Sequence, residues 1–378
     1  MKLDRRELLE TVSLAALGAC AACAFPRLAH AGKSRAQALH EARHYTSLAG
    51  GDVQCHLCPC SPYMKVPGRL GEGQTCVCRV RTNRGGTLYV TNYGRAAVLR
   101  REPLEKNPLF HYHPGQPALA VAAPGCSLEC KGCQNWQLAL AATDEVETIA
   151  APPTSVVKLA RREGCRFVTA TYSEPMMYFE YLEDIARAAA EEGIATTAVT
   201  GGYVNPKPVR ELCRHVEAFS VSAKALTDED YRDYARGSLR AVQRTMETVK
   251  QAGRWLEIVV LVVPTVSDDP KKLRDFVRWA KRNLGADTPI HFDRFWPSHH
   301  LRNLPQTPQK VLEDTREIAR AEGLRYAYIG NLPGHTGANT LCPACGKVLI
   351  RRVAFKVLAN ALVDGRCACG QAITGVWS

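Results

Sequence analysis

The sequence predicts an α/β chain whose parallel sheet curves into a partial or full (β/α) barrel, with small Cys-rich metal-binding extensions at its N- and C-terminal ends. Three observations carry this expectation. Short apolar runs alternate with amphipathic stretches through the middle of the 378-residue chain, most of the 16 cysteines fall into tight groups, and those groups open or flank the alternating region. Apolar residues make up 46% and charged ones 23%, without low-complexity tracts, which excludes fibrous and disordered classes. The formal charge of +12 is spread over short pairs such as Arg161-Arg162 and Arg351-Arg352. No cluster of basic and aromatic residues forms a stacking platform, so no nucleic acid is expected as a partner.

Residues 1–31 read as a twin-arginine-type signal segment. Asp4-Arg5-Arg6-Glu7-Leu8-Leu9 precedes an apolar stretch from Val12 to Phe25, too short to span a bilayer, and Ala29-His30-Ala31 offers a small-residue cleavage site. Leu17-Gly18-Ala19-Cys20 also has the form of a lipoprotein box, and an uncleaved amphipathic helix is the plain alternative. The signal predicts periplasmic or membrane-anchored export, with no transmembrane span in the mature chain.

Residues 32–115 form a Cys-rich region. Cys55, Cys58, Cys60, Cys76 and Cys78 stand in CHLCPC and CVC on either side of a Gly-rich hairpin. Five thiols exceed one four-ligand site; Cys55, Cys58 and Cys78 are expected among the ligands of a metal of open identity, with Cys60 or Cys76 completing the set.

Residues 116–335 form the barrel core. Strands are expected at Ala118 to Ala123, Phe167 to Tyr172, Ala195 to Thr200, Ala218 to Ser222, Glu257 to Val263, Ile290 to Phe295 and Arg325 to Ile329. Helices are expected at Thr154 to Glu163, Met177 to Glu192, Thr227 to Arg236, Leu239 to Ala252, Pro270 to Asn283 and Pro308 to Glu322. Cys165 and Cys213 stand alone in apolar or helical settings and read as core residues.

Residues 336–378 carry Cys342 and Cys345 in CPACG, and Cys367 and Cys369 in CACG. Two thiolate pairs across a hairpin, each followed by glycine, predict a zinc-ribbon-like site, although CxC is one residue shorter than the usual CxxC.

The chemistry is expected in Ala122 to Trp136, AAPGCSLECKGCQNW, where Cys126, Cys130 and Cys133 form a CxxxCxxC loop directly after the first barrel strand. Three thiolates on one loop suit a [4Fe-4S] cluster and leave one iron open for another ligand. Zinc would want a fourth closed ligand, and none lies near in sequence. The other strand ends supply Glu174, Gly201, Gly202, Lys224, His291 and Arg294, more polar groups than packing needs. A small charged cofactor requires a carboxylate for its amine, a cation for its carboxylate and glycines where backbone must approach.

The ordered motifs QCHLCPC, CRVR, GCSLECKGCQNW, TYSEPMMYFEY, GGYVNP, HFDRFWP, YIGNLPGH, CPACG and CACG resemble the radical SAM enzyme of the AmmeMemoRadiSam system, itself similar to pyruvate formate-lyase activating enzymes. The resemblance implies a radical SAM barrel with the cluster on Cys126, Cys130 and Cys133. S-adenosylmethionine would chelate the fourth iron, and its reductive cleavage would give a 5'-deoxyadenosyl radical that abstracts hydrogen from an unknown substrate, a partner protein or a small molecule. It further implies that Glu174 holds the cofactor's amino group, that Lys224 and His291 face its carboxylate and ribose, and that the Gly201-Gly202 turn passes beneath it. A one-electron donor such as a flavodoxin or ferredoxin is implied, as are partner proteins of the same system; S-adenosylmethionine and such donors fit the cytoplasm, against the export that the signal suggests. Ser222 stands where relatives commonly have Asp, the turn reads Thr200-Gly201-Gly202-Tyr203 for TNGY, and Ser173 replaces an Asn. These departures and the export signal support a rival reading: an exported iron-sulfur binding or electron-transfer protein that no longer cleaves S-adenosylmethionine.

Overall fold

Eight strands make one open sheet, and each parallel strand is an apolar run short enough to be buried on both faces. In the computed structural model, which describes residues 39–60 and 66–377, they are β1 Val98–Pro103, β2 Pro117–Ala122, β3 Phe167–Ala170, β4 Ala195–Thr200, β5 Ala218–Ala223, β6 Trp255–Val262, β7 Ile290–Arg294 and β8 Ala327–Gly330. They are hydrogen-bonded in the order β8-β7-β6-β5-β4-β3-β2-β1, with β2 to β8 parallel and β1 antiparallel to β2. The two ends, β8 and β1, do not pair, so the barrel is partial. The expected signal segment, residues 1–31, lies outside the described residues. Among the described residues no helix is long and apolar enough to cross a membrane.

The seven parallel strands match the sequence expectation. The eighth, β1, was not expected because its central Arg100 and Arg101 are exposed on an edge strand, which hides the apolar run.

Seven helices of at least seven residues are described: α1 Pro153–Arg162, α2 Phe179–Glu191, α3 Pro206–Leu212, α4 Asp228–Ala235, α5 Leu239–Gln251, α6 Pro270–Leu284 and α7 Gln309–Ala321. Their starts follow ordinary capping chemistry. Thr227 accepts from Asp230 N, Ser238 from Ala241 N, and Asp269 from Lys271 N and Lys272 N. Each presents an apolar stripe to the sheet, as Leu273, Phe276, Val277 and Ala280 do on α6. Helix α3 was not expected; two prolines in seven residues obscure its period.

The N-terminal region contains two small antiparallel sheets. One joins His40–Glu41, Thr87–Val90 and Arg81–Arg84, and the other Tyr45–Ser47, Val53–Cys55 and Arg69–Leu70. A buried ion pair fastens it to the barrel: Arg81 Nη2 donates to both Glu180 carboxylate oxygens at 2.7 and 2.8 Å, with side chains 1% and 0% exposed. Backbone N–H of Arg43 donates to the same carboxylate at 2.6 Å. Removing one partner leaves an uncompensated buried charge, so Arg81→Met is expected to lower stability by about 3–5 kcal/mol in denaturant titration. The double variant Arg81→Met/Glu180→Leu should recover most of that loss.

The C-terminal hairpin strands Val348–Val353 and Lys356–Asn360 pack across the N-terminal ends of the barrel strands. There Phe110, Tyr326, Tyr328, Leu349, Ile350 and Ile373 form one apolar cluster. Cys165 and Cys213 are buried, as core residues should be.

Candidate active site at the barrel mouth

The loop that leaves β2 carries Cys126, Cys130 and Cys133, and it is held from three sides. Backbone N–H of Glu129 and Lys131 donate to Ala235 O and Tyr234 O at the end of α4, at 3.0 and 2.9 Å. Ser298 Oγ donates to Cys133 O at 3.0 Å, and His300 N to Lys131 O at 2.9 Å. Arg79 and Arg236 each pair with Glu129, between the first two thiols, at 3.1 and 3.0 Å. Gly132 has no room for a side chain: a Cβ would lie 2.8 Å from Tyr234 Oη and 2.9 Å from Phe295 Cε2.

Burial sets the chemistry of these thiols. It pushes Cys126 well above the usual thiol range and Cys130 up to about 12, while the Lys224 cation pulls Cys130 the other way. Cys133 is raised by burial and lowered by Asn135 N–H and by Lys224. Thiols so desolvated stay protonated unless a cation replaces the proton. Leu128 N–H already points at Cys126 Sγ, 3.4 Å away.

Glu174, at the end of the β3 loop, is buried and accepts three hydrogen bonds. Thr200 Oγ1 and Met176 N donate to Oε1 at 2.6 and 3.1 Å, and Gly201 N donates to Oε2 at 2.8 Å. Burial raises its carboxyl, and those donors with Lys224 oppose the rise. A carboxylate has about four acceptor positions, so three bonds hold it rigid and leave one for a ligand. A Cβ on Gly201 would lie 3.1 Å from Leu128 Cδ1 and 3.2 Å from Glu174 Oε2, so this turn, the Cys loop and the carboxylate share one small space. Gly202 sits at φ +68°, and a Cβ there would lie 2.8 Å from Val221 Cγ1.

Lys224 follows β5, and its backbone N–H donates to Tyr231 Oη at 3.3 Å. Its charge acts on Cys130, Cys133, Glu174 and Asp293, so it belongs to the same cavity. His291 does not. It lies near the start of β7, 1% exposed, with Nε2 2.7 Å from Glu257 Oε2, Phe110 edge-on and Tyr328 stacked against it. Glu257 also accepts from His111 N at 2.8 Å. The expectation that His291 faces the ribose is therefore corrected: Glu257, Phe110 and Tyr328 hold the ring near the start of the strand. Arg294 Nε donates to Thr307 O at 2.8 Å.

Asp293 was not singled out from the sequence. It lies two residues beyond His291 on the same face of β7, where burial raises its carboxyl against the pull of His291 and Lys224. A Cβ on Gly330 would fall 1.9 Å from Asp293 Oδ1, so the glycine of YIGN makes room for this carboxylate. HFDRFWP and YIGN together were the available signal.

A model of the radical SAM superfamily matches residues 121–277, which span this loop and most of the barrel. Residues 121–277 form a radical SAM domain. An uncharacterized protein of Methanocaldococcus jannaschii is 36% identical over 338 residues, covering 89% of this chain and 99% of the relative, and this chain belongs to the same family. The pyruvate formate-lyase-activating enzyme of Clostridium pasteurianum is 26% identical over 153 residues, covering 40% of this chain and 63% of that enzyme. Among solved structures, a domain of a pyruvate-formate lyase-activating enzyme from Bacteroides vulgatus is 20% identical with TM-score 0.39, covering 43% of this chain and 98% of its own. A radical SAM methyltransferase from Sphaerobacter thermophilus is 17% identical with TM-score 0.45, covering 58% and 67%.

A radical SAM fold implies a [4Fe-4S] cluster and S-adenosylmethionine, and the residues of this radical SAM site fit them. The donor set is three thiols and no other ligand type. Beside them Tyr234 Oη is buried with no hydrogen-bond partner among the described residues, next to Cys130 and Cys133, where a sulfur acceptor would satisfy it.

The four C-terminal thiols are already gathered. Cys342, Cys345, Cys367 and Cys369 lie with all Sγ atoms within 4.8 Å of one another, Cys342 and Cys369 at 3.6 Å and Cys345 and Cys367 at 3.7 Å. Burial raises the Cys342 thiol, but backbone N–H of Cys345 and Ala344 outweigh it and bring it down to about 7.

Proposed function

We propose that Cys126, Cys130 and Cys133 would hold a [4Fe-4S] cluster for the reductive cleavage of S-adenosylmethionine, and that the resulting radical would take a hydrogen atom from a substrate at the barrel mouth, giving 5'-deoxyadenosine and a substrate radical. The observation that carries the reading is Glu174, a rigid buried carboxylate with one free acceptor position, joined through Gly201 and Leu128 to the three-thiol loop. When bound, the cluster and cofactor supply the one-electron reduction and the carbon-sulfur cleavage. The protein supplies the rest. Glu174 accepts from the cofactor's ammonium, Lys224 faces its carboxylate, and the Gly201-Gly202 turn lets backbone approach without a side chain between. The loops around Tyr234, Phe295 and Ser298 cover the thiols and exclude water.

Lys224 and Asp293 mark the inner wall, so the substrate group that enters meets a cation and a carboxylate. The four C-terminal thiols have the spacing of a closed tetrahedral zinc site, whose Sγ–Sγ edge is about 3.8 Å for metal–sulfur bonds of about 2.3 Å. Membership in the AmmeMemoRadiSam group of radical SAM enzymes, its partner proteins, and an external flavodoxin- or ferredoxin-type donor complete the reading.

Anaerobic reconstitution with iron and sulfide, followed by dithionite and S-adenosylmethionine, is the test. The expected product is 5'-deoxyadenosine, above that of a Cys130→Ala control. Redox cycling of the cluster with no 5'-deoxyadenosine would instead support an exported electron carrier.

A further inference from the structure

The N-terminal five-cysteine group takes no part in the cluster, yet it is built into the same site. Cys55, Cys58, Cys60, Cys76 and Cys78 are 3, 5, 1, 4 and 1% exposed, and all five are free thiols. Single buried cysteines are ordinary small apolar residues. Cys58 Sγ and Cys60 Sγ are 3.9 Å apart, and the Cys76 thiol neighbours those of both Cys60 and Cys55. The 3.9 Å separation is close to the edge of a tetrahedral thiolate site, about 3.8 Å. The thiols follow one another in the sequence Cys58, Cys60, Cys76, Cys55, and unlike the C-terminal four no three of them all lie within 4.8 Å of one another. One ion would draw the ends of this string together.

The backbone is shaped to the same end. Cys60 is held at φ +62°, a conformation that costs a non-glycine residue about 1 kcal/mol or more and persists only where neighbours enforce it. Gly68, at φ +77°, gives way to the thiols: a Cβ there would lie 2.4 Å from Cys55 O and 3.3 Å from Cys60 Sγ.

Both loops of the active site rest on this group. Tyr203 Oη donates to Cys60 O at 2.7 Å, Asn205 N to Leu57 O at 3.0 Å, and Asn205 Nδ2 to His56 O at 2.8 Å. These residues continue the Gly201-Gly202 turn. On the other side a Cβ on Gly125, immediately before Cys126, would lie 3.0 Å from Cys78 O and 2.8 Å from Val80 Cγ2.

We propose that Cys55, Cys58, Cys60 and Cys76 bind one zinc ion, and that this second centre fixes the height of the 201–205 turn relative to the three-thiol loop. Cys78 is the thiol left over; Cys60 and Cys76 both enter, where the sequence allowed only one of them. The positioning role rests on the cofactor-binding reading above, while the metal site does not.

The full chain is purified, and zinc, iron and acid-labile sulfide are measured by elemental and colorimetric analysis. Two equivalents of zinc are expected, one at each thiol group, falling to one in Cys60→Ser and in Cys76→Ser and also to one in Cys345→Ser/Cys369→Ser. Cys78→Ser should keep both. The Cys345→Ser/Cys369→Ser variant removes only exposed thiols, so a zinc-free result there overturns the proposal even if the N-terminal variants fail to fold. Loss of iron and sulfide in place of zinc from Cys60→Ser, or two equivalents retained in it, would also overturn it. For the positioning role, folded Cys76→Ser should bind S-adenosylmethionine about ten- to a hundredfold more weakly by calorimetry with its cluster iron unchanged. Zinc loss with unchanged affinity refutes that role alone, and no affinity in the unsubstituted protein refutes the cofactor reading alone.

Discussion

Replacing Cys130 with alanine is expected to abolish cluster assembly: iron after anaerobic reconstitution should fall from four per chain to near zero, and S-adenosylmethionine cleavage to background. The reason lies in the burial that pushes the Cys130 thiol up to about 12. A desolvated thiolate is a strong ligand once iron displaces its proton, and the loop from Ala122 to Trp136 carries no fourth cysteine to take its place. Cys126→Ala and Cys133→Ala should do the same. Cys165→Ala, at a buried thiol outside any group, should keep full iron and cost only the packing of one small side chain, about 1 kcal/mol. Iron analysis on the four variants separates ligand loss from general destabilisation. Three or more iron atoms retained in Cys130→Ala would contradict the ligand assignment.

The second large effect is expected at Glu174. In Glu174→Gln the shape is preserved but the charge is lost, and an amide N–H₂ replaces one acceptor oxygen. If it faces Gly201 N–H, two donors meet in a buried space; if it faces Thr200, the hydroxyl must turn to accept and the amide still meets Met176 N–H. Losing a charged hydrogen bond to an ammonium costs about 1.5–3 kcal/mol, so KM for S-adenosylmethionine should rise about 10- to 150-fold. Cluster iron should stay at the unsubstituted level, because Glu174 contacts the thiol loop through Leu128 and Gly201 and does not ligate. Steady-state cleavage kinetics alongside iron analysis give both readouts. A Glu174→Gln enzyme with unchanged KM would place the cofactor's amino group elsewhere.

The elements legible in the sequence were those whose signal is local. The parallel strands are continuous apolar runs, and the helices open on Thr227, Ser238 and Asp269, which cap them as their residue types predict. The CxxxCxxC loop and the two C-terminal Cys pairs were legible because ligand spacing is itself a local pattern. Edge strand β1 was not, since Arg100 and Arg101 face solvent and break the run. His291 shows the limit of reading function from strand position. It lies in the expected strand, but a two-residue difference along β7 separates the barrel floor, where Glu257 holds it, from the mouth, where Asp293 stands. No sequence pattern distinguishes those heights, because which end of a strand a residue occupies depends on the boundaries and register of its neighbours. The docking of the N-terminal cysteines on Tyr203 and Asn205 was likewise hidden, being a contact between segments about 143 residues apart.

The account rests on one claim, that the iron left open by Cys126, Cys130 and Cys133 takes the amino and carboxylate groups of S-adenosylmethionine beside Glu174. Electron-nuclear double resonance of the reduced, reconstituted protein with S-adenosylmethionine labelled at its amino nitrogen tests it most directly. The account predicts a hyperfine coupling from that nitrogen, weakened or lost in Glu174→Gln; a cluster signal with no nitrogen coupling at saturating cofactor would contradict it.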